Sequence, residues 1–401
     1  MATGQQNFST INATTDLVKK SFAGMITRLM PNGSAPLFGL TSMLKDETAV
    51  QVEHGFFTKT MIFPSVNLDA AVADGVATTF TVASTANIVP GMLLRAQSTG
   101  EIVIVNTVPN ATSITVTRGV GTVAAGAVAN DVNFYQVGNA FEEGSTRPSA
   151  VSIQSVRVTN LTQIFRNSWA LTDTARATQV IAGDTNVAES KGECASFHAV
   201  DIEKSTFFGQ KFSGTRNSQP FRTMDGLVNQ VTTNAVANVN TAGATTNYTQ
   251  LEALLDVCFN TVTDPKVANE RILFCGGAAK RVLNNIGRLN GTYQLVDGQT
   301  SYGLQFSSFK TSRGTFRMIE HPLFNSNVDW AKMAVAVDLS SFNLAYLGDR
   351  KTVSAEFGTS GAAVENGVDA VGGSLTTELT CLVKNPAANA VVYGLTAAAA
   401  G

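Results

Sequence analysis

The sequence predicts an α+β protein with a small all-β domain inserted into it. Three observations carry that reading. Short alternating runs separated by Gly- and Asn-rich turns fill residues 68–138. A long helical pattern follows at about 186–211. Residues 223–332 then mix amphipathic helices with short apolar strands, as a compact α/β unit does.

The 401 residues are enough for two or three domains and a sizeable core. Lys plus Arg number 28 and Asp plus Glu 30, a formal charge of −2, and charged residues make up only 14%. Thr, Asn, Ser and Gln supply the remaining polarity. Such a chain has no clustered basic footprint for general nucleic-acid binding. It is too apolar and too weakly charged for intrinsic disorder. A net charge near zero favours association between protein molecules. No run approaches the ~18–20 apolar residues of a membrane-spanning helix, and the first 30 residues lack a signal-peptide pattern. The four cysteines Cys194, Cys258, Cys275 and Cys381 are far apart, and they read as buried, reduced thiols.

Taken in order, Asp16 to Met30 reads as a short helix with Leu17, Phe22, Ile26 and Leu29 near one face, broken by Pro31-Asn32-Gly33. Gly55 to Phe63 reads as a strand ended by Pro64. This opening arm has too little periodic apolar surface to fold alone, so Phe8, Phe22, Phe38, Phe56, Phe57 and Phe63 need a surface to pack on, on their own subunit or another. Residues 68–138 hold only six charges, Asp69, Asp74, Arg95, Glu101, Arg118 and Asp131. In this module Ile114 and Val116 should face inward, and Thr115 and Thr117 outward. Val151 to Val158 alternates well as extended chain.

The helix at about 186–211 carries a thin, broken apolar stripe through Cys194, Phe197 and Phe208, suited to lining a subunit rather than filling a core. Thr249-Gln250-Leu251-Glu252 fits a capping box. The helix after it has Leu251, Leu254, Leu255, Cys258 and Val262 on one stripe. Ile272-Leu273-Phe274 reads as a buried strand, and Ala278, Val282 and Ile286 mark a second amphipathic helix. Strands are expected at Ala334–Leu339, Phe342–Leu347, Leu375–Val383 and Val391–Tyr393.

Candidate chemistry is sparse. Cys194 and His198 are four apart on one helix face, but two ligands do not close a zinc site. A packing or polar role for His198 is expected instead. Cys275-Gly276-Gly277-Ala278-Ala279-Lys280 faintly suggests a phosphate at a helix N-terminus, yet it lacks the established glycine motifs and reads better as a tight turn needing glycine dihedrals. Glu142-Glu143 could form a catalytic carboxylate pair, but adjacent residues of an extended chain point to opposite faces, which favours polar contacts. No nucleophile setting occurs. The residues argue for no enzyme, no cofactor and no metal.

Three segments resemble the major capsid proteins of tailed double-stranded DNA bacteriophages, which share the Johnson fold. Phe141-Glu142-Glu143-Gly144-Ser145 follows a β module containing Ser113-Ile114-Thr115-Val116-Thr117-Arg118-Gly119. Asp201-Ile202-Glu203-Lys204 precedes Phe207-Phe208-Gly209, as in the spine helix of that family. Val337-Asp338-Leu339-Ser340-Ser341-Phe342 through Asp349-Arg350 is followed by Glu378-Leu379-Thr380. The resemblance implies an N-terminal arm at 1–50 and an extended loop at 51–150, interrupted by the β insert at 68–138. It implies a peripheral domain at 151–222 with the spine helix, an axial domain at 223–332, and a return to the peripheral domain at 333–401.

The function so implied is self-assembly into hexamers and pentamers of an icosahedral shell enclosing the genome. Phe56, Phe57, Phe63, Glu142 and Glu143 are the expected subunit-interface residues. The β insert would project outward or brace neighbouring subunits. Scaffolding, portal and decoration proteins would be partners. Packaged double-stranded DNA would be touched weakly and without sequence preference, and no membrane is expected. The chain would assemble in the host cytoplasm and reside in the virion. The competing reading is a tail or fibre component, which the helices within 186–289 disfavour.

Overall fold

The computed structural model describes residues 36–41, 46–59, 63–147, 154–178, 187–261, 269–289, 299–301, 304–358 and 369–399. The expected helix at 16–30, Phe8, Phe22, Val262 and the Val151 end of the expected strand lie outside these residues. The chain divides into two compact units, Phe57–Val158 and the remainder, Met1–Phe56 with Thr159–Gly401.

In the smaller unit six strands form one sheet in the order Ser65–Asn67, Asn133–Asn139, Met92–Ala96, Ile102–Asn110, Ser113–Thr117 and Thr79–Thr81. Its two edge strands meet. Leu68 bridges Val82, Asp69 N–H donates to Thr81 O at 3.0 Å, and Ala83 N–H donates to Asn67 O at 3.0 Å. The sheet therefore closes on itself, which removes its exposed edges. Alternation fills the interior: Ile114 and Val116 are buried and Thr117 is exposed, and they join Val66, Phe80, Leu94, Val103 and Phe134 in one core. The buried pair Arg118 and Glu101 ties the closing loops. Nε and Nη2 of Arg118 donate to the two carboxylate oxygens at 2.9 and 2.6 Å.

The larger unit is built on two sheets. One places Glu47–Ala49, Phe342–Leu347, Ala370–Val383 and Gln163–Thr172 side by side, with Val353–Phe357 also pairing to Ala370–Val383. The other runs Val239–Thr241, Ala390–Tyr393, Ala334–Val337, Glu270–Cys275, Thr315–Glu320, Leu304–Lys310 and Gln299–Ser301. Residues 333–401 thus supply strands to both sheets. The helix Val187–Phe208 buries Cys194, His198, Ile202 and Thr206, a row at four-residue spacing. Phe197, expected on the apolar stripe, is instead 56% exposed, because it lies off this row. Ile202 and Phe207 join a core that also holds Phe274, Val335, Phe342 and Leu379, so one apolar interior links the helix to both sheets.

The capping box falls two residues before its expected place. Asn247 caps helix Tyr248–Leu255, its Oδ1 accepting from Gln250 N–H at 2.9 Å while Gln250 Oε1 accepts from Asn247 N–H at 3.1 Å. Glu252 instead accepts from Ser312 N–H at 2.7 Å. Leu251, Leu255 and Cys258 are buried as expected. In helix Gly277–Leu289 the buried face is Ala279, Val282, Leu283 and Ile286, so Ala279 takes the place expected for Ala278.

Candidate interaction surfaces

Phe56 is half-buried in the strand Glu53–Thr58, and Phe57 next to it is 70% exposed. Phe63 is 83% exposed. Glu142 and Glu143 are exposed, and the chain turns there, with Ser145 N–H donating to Glu142 O at 3.2 Å. The extended conformation expected at this pair is therefore replaced by a turn, and the two carboxylates have no hydrogen bond or ion pair with another described side chain. Phe141 anchors the turn. Its ring lies over Gly91, where a Cβ would sit 2.3 Å away. No hydrogen bond or ring contact joins Phe57, Phe63, Glu142 and Glu143 to one another among the described residues. They are separate exposed patches rather than one convergent site.

The buried polar groups are engaged structurally. His198 Nδ1 lies 2.7 Å from Asn167 Oδ1 and its Nε2 lies 2.7 Å from Thr377 Oγ1. Burial pushes the imidazole pKa down, opposed by the charge of Asp201. This is the polar contact expected of His198, and Cys194 packs with Trp169, Val371 and Leu375. The Gly276-Gly277 turn is explained by crowding rather than by unusual dihedrals. A Cβ at Gly276 would stand 2.4 Å from Ala331 O, and Gly277 N–H is taken by Asn325 Oδ1 at 2.7 Å. No group of three or more His, Cys, Asp or Glu is placed to hold a metal among the described residues. No helix among them is long and apolar enough to cross a membrane.

Several organising residues act through distant partners; Glu378 and Arg350 lie in segments that carry the resemblance, but no local spacing marked their pairing, and Asn160 lies in no motif. Glu378 is 1% exposed; it accepts from Thr162 Oγ1 at 2.9 Å and lies 2.7 Å from Nη1 of Arg350. Asn160 clamps the backbone of Asp225 and Cys381, donating to both carbonyls at 2.9 and 2.7 Å and accepting from Asp225 N–H at 2.8 Å. These partners are up to 221 residues apart in the chain, so no spacing rule reveals them. A hairpin, Phe212–Arg216 with Gln219–Thr223, lies between the long helix and the next unit, where local periodicity marks no strands. Its turn residues Asn217 and Ser218 both have positive φ, 51° and 61°, the conformation of a two-residue hairpin turn. Asn-Ser is a weaker cue for that turn than Asn-Gly.

Comparison with known proteins gives this arrangement its context. The family described as SU10 major capsid protein matches residues 4–396. A major capsid protein of Pseudomonas phage PaMx41 is 40% identical over 401 residues, spanning 97% of this chain and 95% of that one. Among solved structures, one from Mycobacterium phage Bobi covers 94% of this chain and 96% of its own at 10% identity and a TM-score of 0.48. One from Mycobacterium phage Adephagia covers 98% and 99% at 10% identity and a TM-score of 0.44. These two likenesses are too distant to add to the sequence match. On the near full-length match, the chain belongs to the SU10 major capsid protein family.

Proposed function

We propose that copies of this chain self-assemble into hexamers and pentamers that close as an icosahedral shell around the viral genome. The observation that carries the reading is the family match over residues 4–396 together with the 40%-identical phage major capsid protein. Membership makes the chain a structural protein of the virion. Neither comparison favours a tail or fibre component.

In this reading residues 1–50 are an arm and 51–150 an extended loop carrying the β module of 68–138. Residues 151–222 and most of 333–401 form the peripheral domain, and 223–332, with the strands Ala334–Val337 and Ala390–Tyr393 that share its sheet, form the axial domain that meets its copies around the ring axes. Ring contacts of this kind are heterologous and close by rotation. Phe56, Phe57 and Phe63 pack against neighbouring subunits, and the exposure of Phe57 and Phe63 supports that role. The weak net charge limits repulsion between close-packed copies. Scaffolding, portal and decoration proteins are the remaining protein partners. Contact with packaged DNA is weak and non-specific, and assembly takes place in the host cytoplasm. The test is Phe57→Asp, which should leave the subunit folded and block shell formation; normal shells from that variant would remove Phe57 from the interface.

A further inference from the structure

The hairpin Phe212–Arg216 with Gln219–Thr223 is a two-stranded sheet that pairs with no further strand among the described residues, and its root alone is tied to the rest of its unit. Such a ribbon is marginally stable in water without a further surface to pack on. Its register sets Phe212 opposite Thr223, Gly214 opposite Phe221 and Arg216 opposite Gln219. Residues paired in this way point to the same face. Phe212, Phe221 and Arg216 therefore share one face, with the two rings 6.3 Å apart and 57% and 37% exposed. The bases at the root of the hairpin are occupied. Lys211 Nζ donates to Thr159 O at 2.9 Å, and Arg222 lies 3.8 Å from Glu378. Arg216, near the tip, is exposed and has no ion pair with a described residue, and residues 213–221 contain no acidic side chain. The hairpin thus presents two aromatic rings and one unneutralised cation.

The chain carries the complementary surface elsewhere. Glu142 and Glu143 are adjacent, exposed and without an ion pair among the described residues, and they follow Phe141, which is 43% exposed. The other adjacent acidic pair, Asp46-Glu47, is already neutralised by Lys351 and Lys384. Arg147, exposed a few residues on, is the nearest base in sequence.

We propose that the 212–223 hairpin of one copy docks on the Phe141-Glu142-Glu143 turn of a second copy. Phe212 and Phe221 pack against Phe141, and Arg216 pairs with the two carboxylates. The contact is heterologous: each copy offers a hairpin to one neighbour and a turn to the next, so that contacts propagate around a closed ring or shell. This contact rests on the shell-forming function proposed above and adds a residue-level joint to it.

Charge reversal separates the two. Arg216→Glu and the double variant Glu142→Arg with Glu143→Arg should each remain folded by circular dichroism, because the altered side chains are exposed. Each should lower the fraction of protein in shells, measured on density gradients, by about tenfold, the change that ~1.4 kcal/mol of lost contact produces. The chain carrying all three substitutions should recover most of the shell fraction. Wild-type assembly by Arg216→Glu, or no recovery in the combined variant, would overturn the contact while leaving the shell reading intact. Rods or open fibres from the unaltered chain would overturn the shell reading and the contact with it.

Discussion

The imidazole Nε2 of His321 donates to Glu203 Oε1 at 2.8 Å, and both side chains are buried. The same carboxylate oxygen accepts Leu37 N–H at 2.8 Å. One carboxylate on the long helix therefore holds a loop that follows a strand of the seven-stranded sheet, and a short helix near the chain's start. Phe207, Phe274 and Phe324 surround the imidazole at 4.9, 5.9 and 4.5 Å between ring centroids, which keeps water from competing for the bond.

Removing this carboxylate strands two buried donors. Glu203→Ala is expected to destabilise the larger unit by about 2–6 kcal/mol, because each buried donor left unpaired costs about 1–3 kcal/mol. Chemical denaturation reads it as a lower midpoint with an unchanged slope.

The Glu101–Arg118 pair makes the parallel case in the smaller unit. Arg118→Met leaves the Glu101 carboxylate buried without its cation and should cost about 3–5 kcal/mol. The double variant Glu101→Leu with Arg118→Met should cost less than Arg118→Met alone, because no buried charge then remains. Hydrogen exchange across residues 65–139 would show the difference; equal protection in the two variants would mean that burial of the charge is not the determining factor.

The position of His198 predicts a pH dependence. Burial holds its folded pKa below the ordinary value, with Asp201 acting in the opposite sense. The unfolded chain therefore binds the proton more readily, and the stability present above about pH 6.5 is lost as pH falls toward the folded pKa. His198→Gln should flatten this part of the stability–pH curve relative to the unaltered chain. An identical slope in both proteins would remove His198 as its source.

The thiols should be inert in the folded protein. All four cysteines are buried and free, and burial pushes the thiols of Cys258 and Cys275 up to about 12. A thiolate-seeking reagent at about pH 8 should label almost nothing before denaturation and all four cysteines after it. Rapid labelling of the native chain would contradict this.

Local periodicity made much of the fold legible. Ile114 and Val116 are the residues that alternation places inward in the β module, and both are buried in its core with Phe80, Leu94 and Val103. The long helix was expected at about 186–211 and is described over Val187–Phe208. Its buried face was misjudged because His198, Glu203 and Thr206 are polar and are satisfied by distant partners, which a hydropathy pattern cannot register. The capping box was misplaced for a related reason: Thr249 and Glu252 have the right spacing, but Asn247 and Gln250 make the reciprocal bonds. The proposed interface residues were legible only as aromatic and acidic side chains without a core to enter. Sequence spacing carries no information on whether a neighbouring copy covers them.

The most direct test of the account is negative-stain electron microscopy of the purified chain, with sedimentation across a range of concentrations. Closed shells, or rings of five and six subunits, are the predicted result. Rods or open fibres would contradict the shell reading and restore the tail or fibre alternative.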